Sequence, residues 1–200
     1  QCHFGQDSMS LSRLGAKVTG IDLSDEAIKQ AKILSRELQL DTQFVASDVY
    51  DLPNNLEGQF DVVYTSYGVI GWLPDLDKWA QVIKHFLRPG GKLVFVEFHP
   101  NIWMYDDDFT KVTYNYFKDD AIIDSETGTY ADKDSGERFD YVFWNHALSE
   151  VFEALLNAGL KIEHFKEYDY SPYDCFDHTV KISDRKYQIK PFGNKMPLCY

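Results

Sequence analysis

Residues 17 to 32 read KVTGIDLSDEAIKQAK. The run is an apolar strand ending on one carboxylate, Asp22, with a helix start directly behind it. Ser24 supplies a capping hydroxyl, and Ala27, Ile28, Ala31, Ile33, Leu34 and Leu38 form an apolar stripe at helical spacing. An acid at the carboxyl end of a strand, with a helix running back behind it, is how an open α/β sheet grips a ribose. The stretch predicts a parallel sheet and a nucleoside-bearing cofactor.

The same rhythm extends on both sides. DSMSLSRL, residues 7 to 14, places Met9, Leu11 and Leu14 on one helical face that stops at Gly15. TQFVAS, residues 42 to 47, predicts a strand ending at Asp48, and QFDVVYTS, residues 59 to 66, is the nearly continuous apolar run of a buried parallel strand. DLDKWAQVIKHFL, residues 75 to 87, predicts a helix turning Leu76, Trp79, Val82, Ile83, Phe86 and Leu87 inward, closed by Pro89, Gly90 and Gly91; KLVFVEF, residues 92 to 98, follows as a strand. The expected fold is α/β: a Rossmann-like, doubly wound, mostly parallel sheet with helices on both faces.

From 101 to 145 the rhythm breaks. KVTYNYF (111 to 117) and ERFDYVFW (137 to 144) alternate at strand spacing around the turn-rich SETGTYADKDSG (125 to 136). This predicts a β-rich, aromatic insertion acting as a substrate cap, and eleven acids against four bases between 101 and 140 make it acidic. HALSEVFEALLNAG (146 to 159) returns to a capped amphipathic helix ending on Gly159, LKIEHFKEYDY (160 to 170) to a strand, and antiparallel pairing is expected at the C-terminal end. A single domain over residues 1 to 200 follows, its core at 1 to 100 and 146 to 200, with the first core strand expected to precede Gln1.

Composition bounds the function. The chain of 200 residues is 44% hydrophobic and carries a net charge of −12, which argues against a nucleic-acid partner because such affinity rests on Lys and Arg displacing counterions. Apolar runs fall short of the roughly 20 residues a membrane helix needs, no basic-then-apolar leader precedes Cys2, and a soluble cytoplasmic protein without membrane partners is expected. Cys2, Cys175 and Cys199 make an odd number with no metal spacing, so reduced thiols and no metal are expected.

In order, the turn QCHFGQD, the acids Asp22 and Asp48, FDVVYTSYG and LRPGGKLVFVEF resemble the motifs of the class I S-adenosylmethionine-dependent methyltransferases, over residues 1 to about 100 and loosely over 146 to 170. The resemblance implies S-adenosyl-L-methionine as cofactor and a small-molecule acceptor, with a monomer or homodimer as the acting species. It implies that Gln1, Cys2, His3 and Gly5 form the loop under the methionine half, with Asp7 and Ser8 at the following helix start. It further implies that Asp22 takes the ribose hydroxyls, Leu23 packs on adenine, Asp48 accepts from the adenine amino group between Ser47 and Val49, and Thr65, Ser66 and Tyr67 lie along the methionine toward the substrate. Gln1 and His3 depart from the family by standing where it has glycines.

Each residue also has a plainer reading. Asp22 could only stabilise a helix dipole, Asp48 could be a turn residue, and His3 could merely pack in place of glycine. His99, after the fifth strand, is either a general base or a hydrogen-bonded strand-end histidine. His146 either touches substrate or begins its helix, and Tyr67, Trp72, Trp103, Tyr105 and Trp144 are core or lid residues unless they cage a cationic or aromatic substrate. Lys181, Arg185, Lys186, Lys190 and Lys195 read as a solvated face. Two rivals to methyl transfer stand: an NAD-linked oxidoreductase, although QCHFGQD lacks GxGxxG, and a cofactor-binding member of the same fold without turnover.

Overall fold

The computed structural model describes residues 1–127, 136 and 138–200; the centre of the expected turn, 128–135, lies outside the described residues. Two units divide the chain: Gln1–Val63 with Lys78–Leu93, and Tyr64–Asp77 with Val94–Tyr200.

The first unit holds α1 (Gln6–Arg13), β1 (Thr19–Asp22), α2 (Asp25–Glu37), β2 (Gln43–Ala46) and the short α3 (Leu52–Asn55), then the start of β3 (Phe60–Thr65), most of α4 (Leu76–Phe86) and the start of β4 (Leu87–Phe95). β1 and β2 pair in parallel, Thr19 opposite Gln43 through Asp22 opposite Ala46. The Ser24 hydroxyl accepts the Ala27 N–H at 3.2 Å, which caps α2. Met9, Ile28, Ala31 and Phe44 form one small core, and Leu52, Val82 and Phe86 another. All six residues expected to face inward from the 75 to 87 segment are buried.

Some expectations fail here for geometric reasons. Ile33 is exposed because at 3.6 residues per turn it lies about 140° around α2 from Ile28, outside the stripe that 27, 28 and 31 bury, and Leu38 is exposed as the C-cap, past the helix end. Leu14 is 84% exposed because α1 has already ended and Leu14 is its C-cap. Val62 and Tyr64, expected within a buried strand, are exposed; β3 has β4 as its hydrogen-bonded neighbour and no second one among the described residues. Residues 89 to 91 do not form a separate turn but fall within β4, with Gly90 at φ +79°. A Cβ at Gly91 would sit 3.0 Å from the carbonyl oxygens of Arg88 and Phe60, a tight contact with backbone that glycine avoids.

In the second unit β5 (Ile122–Thr127) and β6 (Arg138–Phe143) form an antiparallel hairpin, followed by α5 (Leu148–Asn157) and a second hairpin of β7 (Thr179–Ser183) and β8 (Lys186–Ile189). The last three residues pair on two sides. Glu97 and Tyr200 exchange N–H···O bonds of 2.9 Å each and Leu198 accepts from His99 N–H, while Tyr168 N–H donates to Cys199 and Leu198 N–H donates to Tyr168. Phe98, Ile102, Phe109, Ile189, Leu198 and Cys199 make the core beneath, with Trp103 and Phe176 packed on it.

Three expectations change in this unit. Residues 111 to 117 do not become a strand; Thr113 and Tyr114 both donate to the single carbonyl of Met104, which leaves no ladder, and Val112 bridges Tyr105 alone. Residues 161 to 167 have no strand pairing, and Ile162 and Phe165 remain half exposed. The N-cap of α5 is Ala147, whose methyl group cannot accept a hydrogen bond, so the helix is not capped as expected. Among the described residues no helix is long and apolar enough to cross a membrane.

Candidate functional site

At the carboxyl edge of the β1–β2 pair the first unit gathers most of the residues singled out for the cofactor. Parallel register places Asp22 opposite Ala46, and Ser47 N–H continues the ladder onto the Asp22 carbonyl at 2.9 Å, so Asp22 and Asp48 leave neighbouring strands at the same edge. Asp22 Oδ2 accepts the His3 N–H at 2.8 Å and Oδ1 accepts the Ser24 N–H at 3.0 Å. A carboxylate offers about four lone-pair sites, so these two bonds orient the group and leave capacity for more. Leu23, next along, is 68% exposed.

The loop before α1 is pinned to this edge. Cys2 N–H donates to the Ile21 carbonyl at 2.7 Å and Gly5 N–H to Cys2 at 2.8 Å. His3 takes φ +49°, a left-handed conformation costing a side chain about 1 kcal/mol, and the bond to Asp22 holds it there. Gly5 lies at φ +74°, where a Cβ would come within 2.4 Å of the Phe44 ring. Its glycine is therefore required by packing as well as by any ligand. Burial pushes the Cys2 thiol up to about 11. Gln1 and Asp7 are exposed, and Ser8 is buried with its Oγ near Gly20. Asp48 is exposed and accepts Tyr50 N–H at 2.8 Å; Ser47 donates to the Asp48 carbonyl and accepts from Asn55, and Val49 packs with Ile21 against Leu52.

The second unit builds a different structure around the segment 65 to 74. The Glu97 carboxylate, 2% exposed, accepts N–H bonds from Gly68 (2.5 Å) and Phe98 (2.7 Å) on one oxygen and from Val69 (2.7 Å) and Ile70 (3.1 Å) on the other. Burial raises its proton affinity, and the four N–H bonds pull it back only in part. Glu97 thereby fixes the turn that carries Ser66 and Tyr67, while the Thr65 carbonyl accepts Val96 N–H at 3.0 Å. From the other side Trp144 N–H donates to the Gly71 carbonyl, His146 Nε2 to that of Leu73 at 2.9 Å, and Lys118 Nζ to that of Pro74 at 2.5 Å. Nothing in the reading of the sequence drew Glu97 out, although an acid inside the apolar run KLVFVEF was a signal, since buried acids are rarely left without partners.

Both histidines raised as chemical candidates are buried, each with one ring nitrogen hydrogen-bonded to the backbone and the other 3.0 Å from a glutamate oxygen. His99 Nδ1 accepts the Asn101 N–H at 3.2 Å and its Nε2 lies 3.0 Å from Glu167 Oε1. Burial lowers its proton affinity and Glu167 opposes that. Its one basic nitrogen thus already holds a hydrogen bond. His146 Nδ1 lies 3.0 Å from Glu150 Oε2, while Lys118 reaches Glu150 Oε1 at 3.3 Å. Burial alone would raise the Glu150 carboxyl, but His146 and Lys118 outweigh it and hold it below the usual range. Tyr67 is half-buried against Phe98 and Tyr173, and burial pushes its phenol up to about 12, so it is an O–H donor at neutral pH.

The Glu150 cluster gives a pH prediction. A carboxyl whose folded pKa is depressed adds stability above its unfolded value, ordinarily 4.5, and loses it as pH falls through the folded value. The urea midpoint of the wild type is expected to drop more steeply than that of Glu150→Gln as pH falls below that value; parallel curves would show that the cluster contributes nothing.

Against known proteins, residues 1–95 match the model of a methyltransferase domain family. Over 92 residues the chain is 37% identical to a ubiquinone biosynthesis O-methyltransferase of Xanthomonas euvesicatoria pv. vesicatoria, a stretch that is 46% of this chain and 38% of that protein. The chain therefore spans well under half the length of the curated relatives it matches. In fold it is similar to a SAM-dependent methyltransferase of Methanosarcina mazei, with a TM-score of 0.62 at 21% identity over 88% of this chain and 84% of that one. It is also similar to the [4+2]-cyclase SpnF, with a TM-score of 0.52 at 17% identity over 84% of this chain and 51% of that one. The fold is Rossmann-like, and its neighbours carry more than one kind of reaction.

Proposed function

We propose that the chain, whose residues 1–95 match a methyltransferase domain family, is a class I S-adenosylmethionine-dependent methyltransferase that transfers the methyl group of S-adenosyl-L-methionine to a small-molecule acceptor. The observation that carries this is Asp22. Its carboxylate is oriented by two backbone N–H groups, keeps spare acceptor capacity, and stands at the same sheet edge as Asp48, beside the exposed Leu23. An adenosyl group needs that set: a charged acceptor for its ribose hydroxyls, an acceptor for its amino group, and an apolar surface for its ring.

In this assignment Asp22 holds the ribose, Leu23 and Val49 cover the adenine, Asp48 accepts from its amino group beside Ser47, and the loop Gln1, Cys2, His3 and Gly5 with Asp7 and Ser8 borders the methionine half. The sulfonium supplies an electrophilic methyl group when bound, so the chain's own work is orientation and exclusion of water. Thr65, Ser66 and Tyr67 sit on a turn that Glu97 makes rigid, which suits positioning. Tyr67, protonated at neutral pH, can donate a hydrogen bond to an acceptor or a leaving group. His99 and His146, each tied to the backbone through one ring nitrogen and facing a glutamate with the other, are assigned to hold the frame, and the acceptor brings its own nucleophile.

The name of the curated relatives makes hydroxyl compounds the first acceptors to try, and the net charge of −12 favours small acceptors over nucleic acid. The enzyme so proposed acts in the cytoplasm as a monomer or homodimer. Titration with S-adenosylhomocysteine should give saturable heat, and label from methyl-labelled donor should pass to a phenol or alcohol in an acceptor panel. Donor binding with no transfer to any acceptor would favour a cofactor-binding member of the same fold without turnover.

A further inference from the structure

A cleft of about 190 Å³ opens in the second unit, bordered by Tyr114, Asn115, Phe117, Asp119, Asp120 and Asn145. We propose that it binds the protonated primary amine of a small molecule with a short apolar stem, a site that rests on no part of the methyl-transfer reading.

Asn145 is 3% exposed, and both hydrogens of its amide are spoken for: Nδ2 donates to the Pro100 carbonyl at 3.1 Å and to the Asn115 carbonyl at 3.0 Å. Those two bonds fix which way the amide points, because an oxygen could not replace Nδ2 opposite two carbonyls. Its Oδ1 is left as a buried acceptor with no partner among the described residues. Buried acceptors are rarely left empty, and Asn145 is among the residues that line the cleft, so its Oδ1 calls for a donor from a ligand.

The charge around it selects the donor. Asp119 and Asp120 bring two carboxylates, of which Asp119 receives only a long 3.4 Å bond from Asn115. Lys118 also lines the cleft, but its ammonium group is bound to the Pro74 carbonyl and to Glu150, whose carboxylate offsets its charge. An ammonium can donate to Asn145 and face both carboxylates at once; a hydroxyl would satisfy only the amide, and an anion would be repelled. Phe117, 69% exposed, and Ile122 supply apolar surface for the carbon stem, and a ring face also attracts a cation.

The full chain, without methyl donor, is titrated calorimetrically with benzylammonium, benzyl alcohol and benzoate. Saturable binding of benzylammonium is expected, at least about tenfold tighter than benzyl alcohol, with no binding of benzoate. Asp119→Asn with Asp120→Asn, both on the surface, should weaken the amine at least about tenfold while leaving the circular dichroism spectrum unchanged. Asn145→Ala should weaken it too, but that change also releases two carbonyls and can unfold the chain, so the surface pair carries the test. Equal affinity for amine and alcohol, an unchanged affinity in the Asp119/Asp120 double variant, or no saturable heat up to about 20 mM amine would overturn the proposal.

Discussion

Glu97→Gln is expected to lower the free energy of unfolding by about 2 to 6 kcal/mol. The reason is a count of donors. Each Glu97 oxygen accepts two backbone N–H groups, and an amide can keep only one oxygen, so its NH₂ would face two donors with nothing to offer them. Two buried N–H groups then stand unpaired, each costing about 1 to 3 kcal/mol. Urea unfolding at neutral pH measures the difference. A loss below about 1 kcal/mol would show that the segment 68 to 70 finds other acceptors and that Glu97 does not hold it.

The same change separates framework from chemistry. Glu97 touches only backbone, so the variant should disturb the turn that presents Ser66 and Tyr67 while sparing every bond that orients Asp22. Donor affinity is then expected to survive where the protein remains folded, and acceptor turnover to suffer. The segment is also held from its far end by Trp144, His146 and Lys118, which limits the damage to its first half.

What the sequence disclosed and what it hid follow from the range of the forces involved. α2 was legible because its determinants are local: Ser24 caps it, and the spacing of 27, 28 and 31 sets the buried face. The edge carrying Asp22 and Asp48 was legible because a parallel strand pair places its carboxyl ends together by construction. Glu97, Asn145 and the pairing of 198 to 200 with both 97 to 99 and Tyr168 were not legible, since each depends on partners about 30 to 100 residues away that no periodicity encodes. The strands expected at 111 to 117 and 160 to 170 show the converse: alternation of side chains does not make a strand when neighbouring backbone meets it only at an isolated bridge, Tyr105 at Val112 and Cys199 at Tyr168. For His99 and His146 the sequence could supply the residue type but not the bonds, and the bonds decide whether a nitrogen is left to act as a base.

Asp22→Ala should weaken binding of S-adenosylhomocysteine by about 10- to 150-fold, since a charged acceptor that hydrogen-bonds sugar hydroxyls contributes about 1.5 to 3 kcal/mol. Part of the effect is organisational: Asp22 also receives the N–H groups of His3 and Ser24, and without it the left-handed His3 loses the bond that holds its turn. Asp22→Asn isolates the charge, because it keeps one oxygen and nearly the same shape. If the carboxylate binds ribose, the Asn variant should fall between wild type and Ala in affinity while its urea midpoint stays close to the wild type. If Asp22 only ties the loop to β1, affinity and stability should decline together across the two variants. A shift in affinity below about twofold for Asp22→Ala, in a protein still folded, would remove the ribose from this edge and with it the assignment of Leu23 and Asp48.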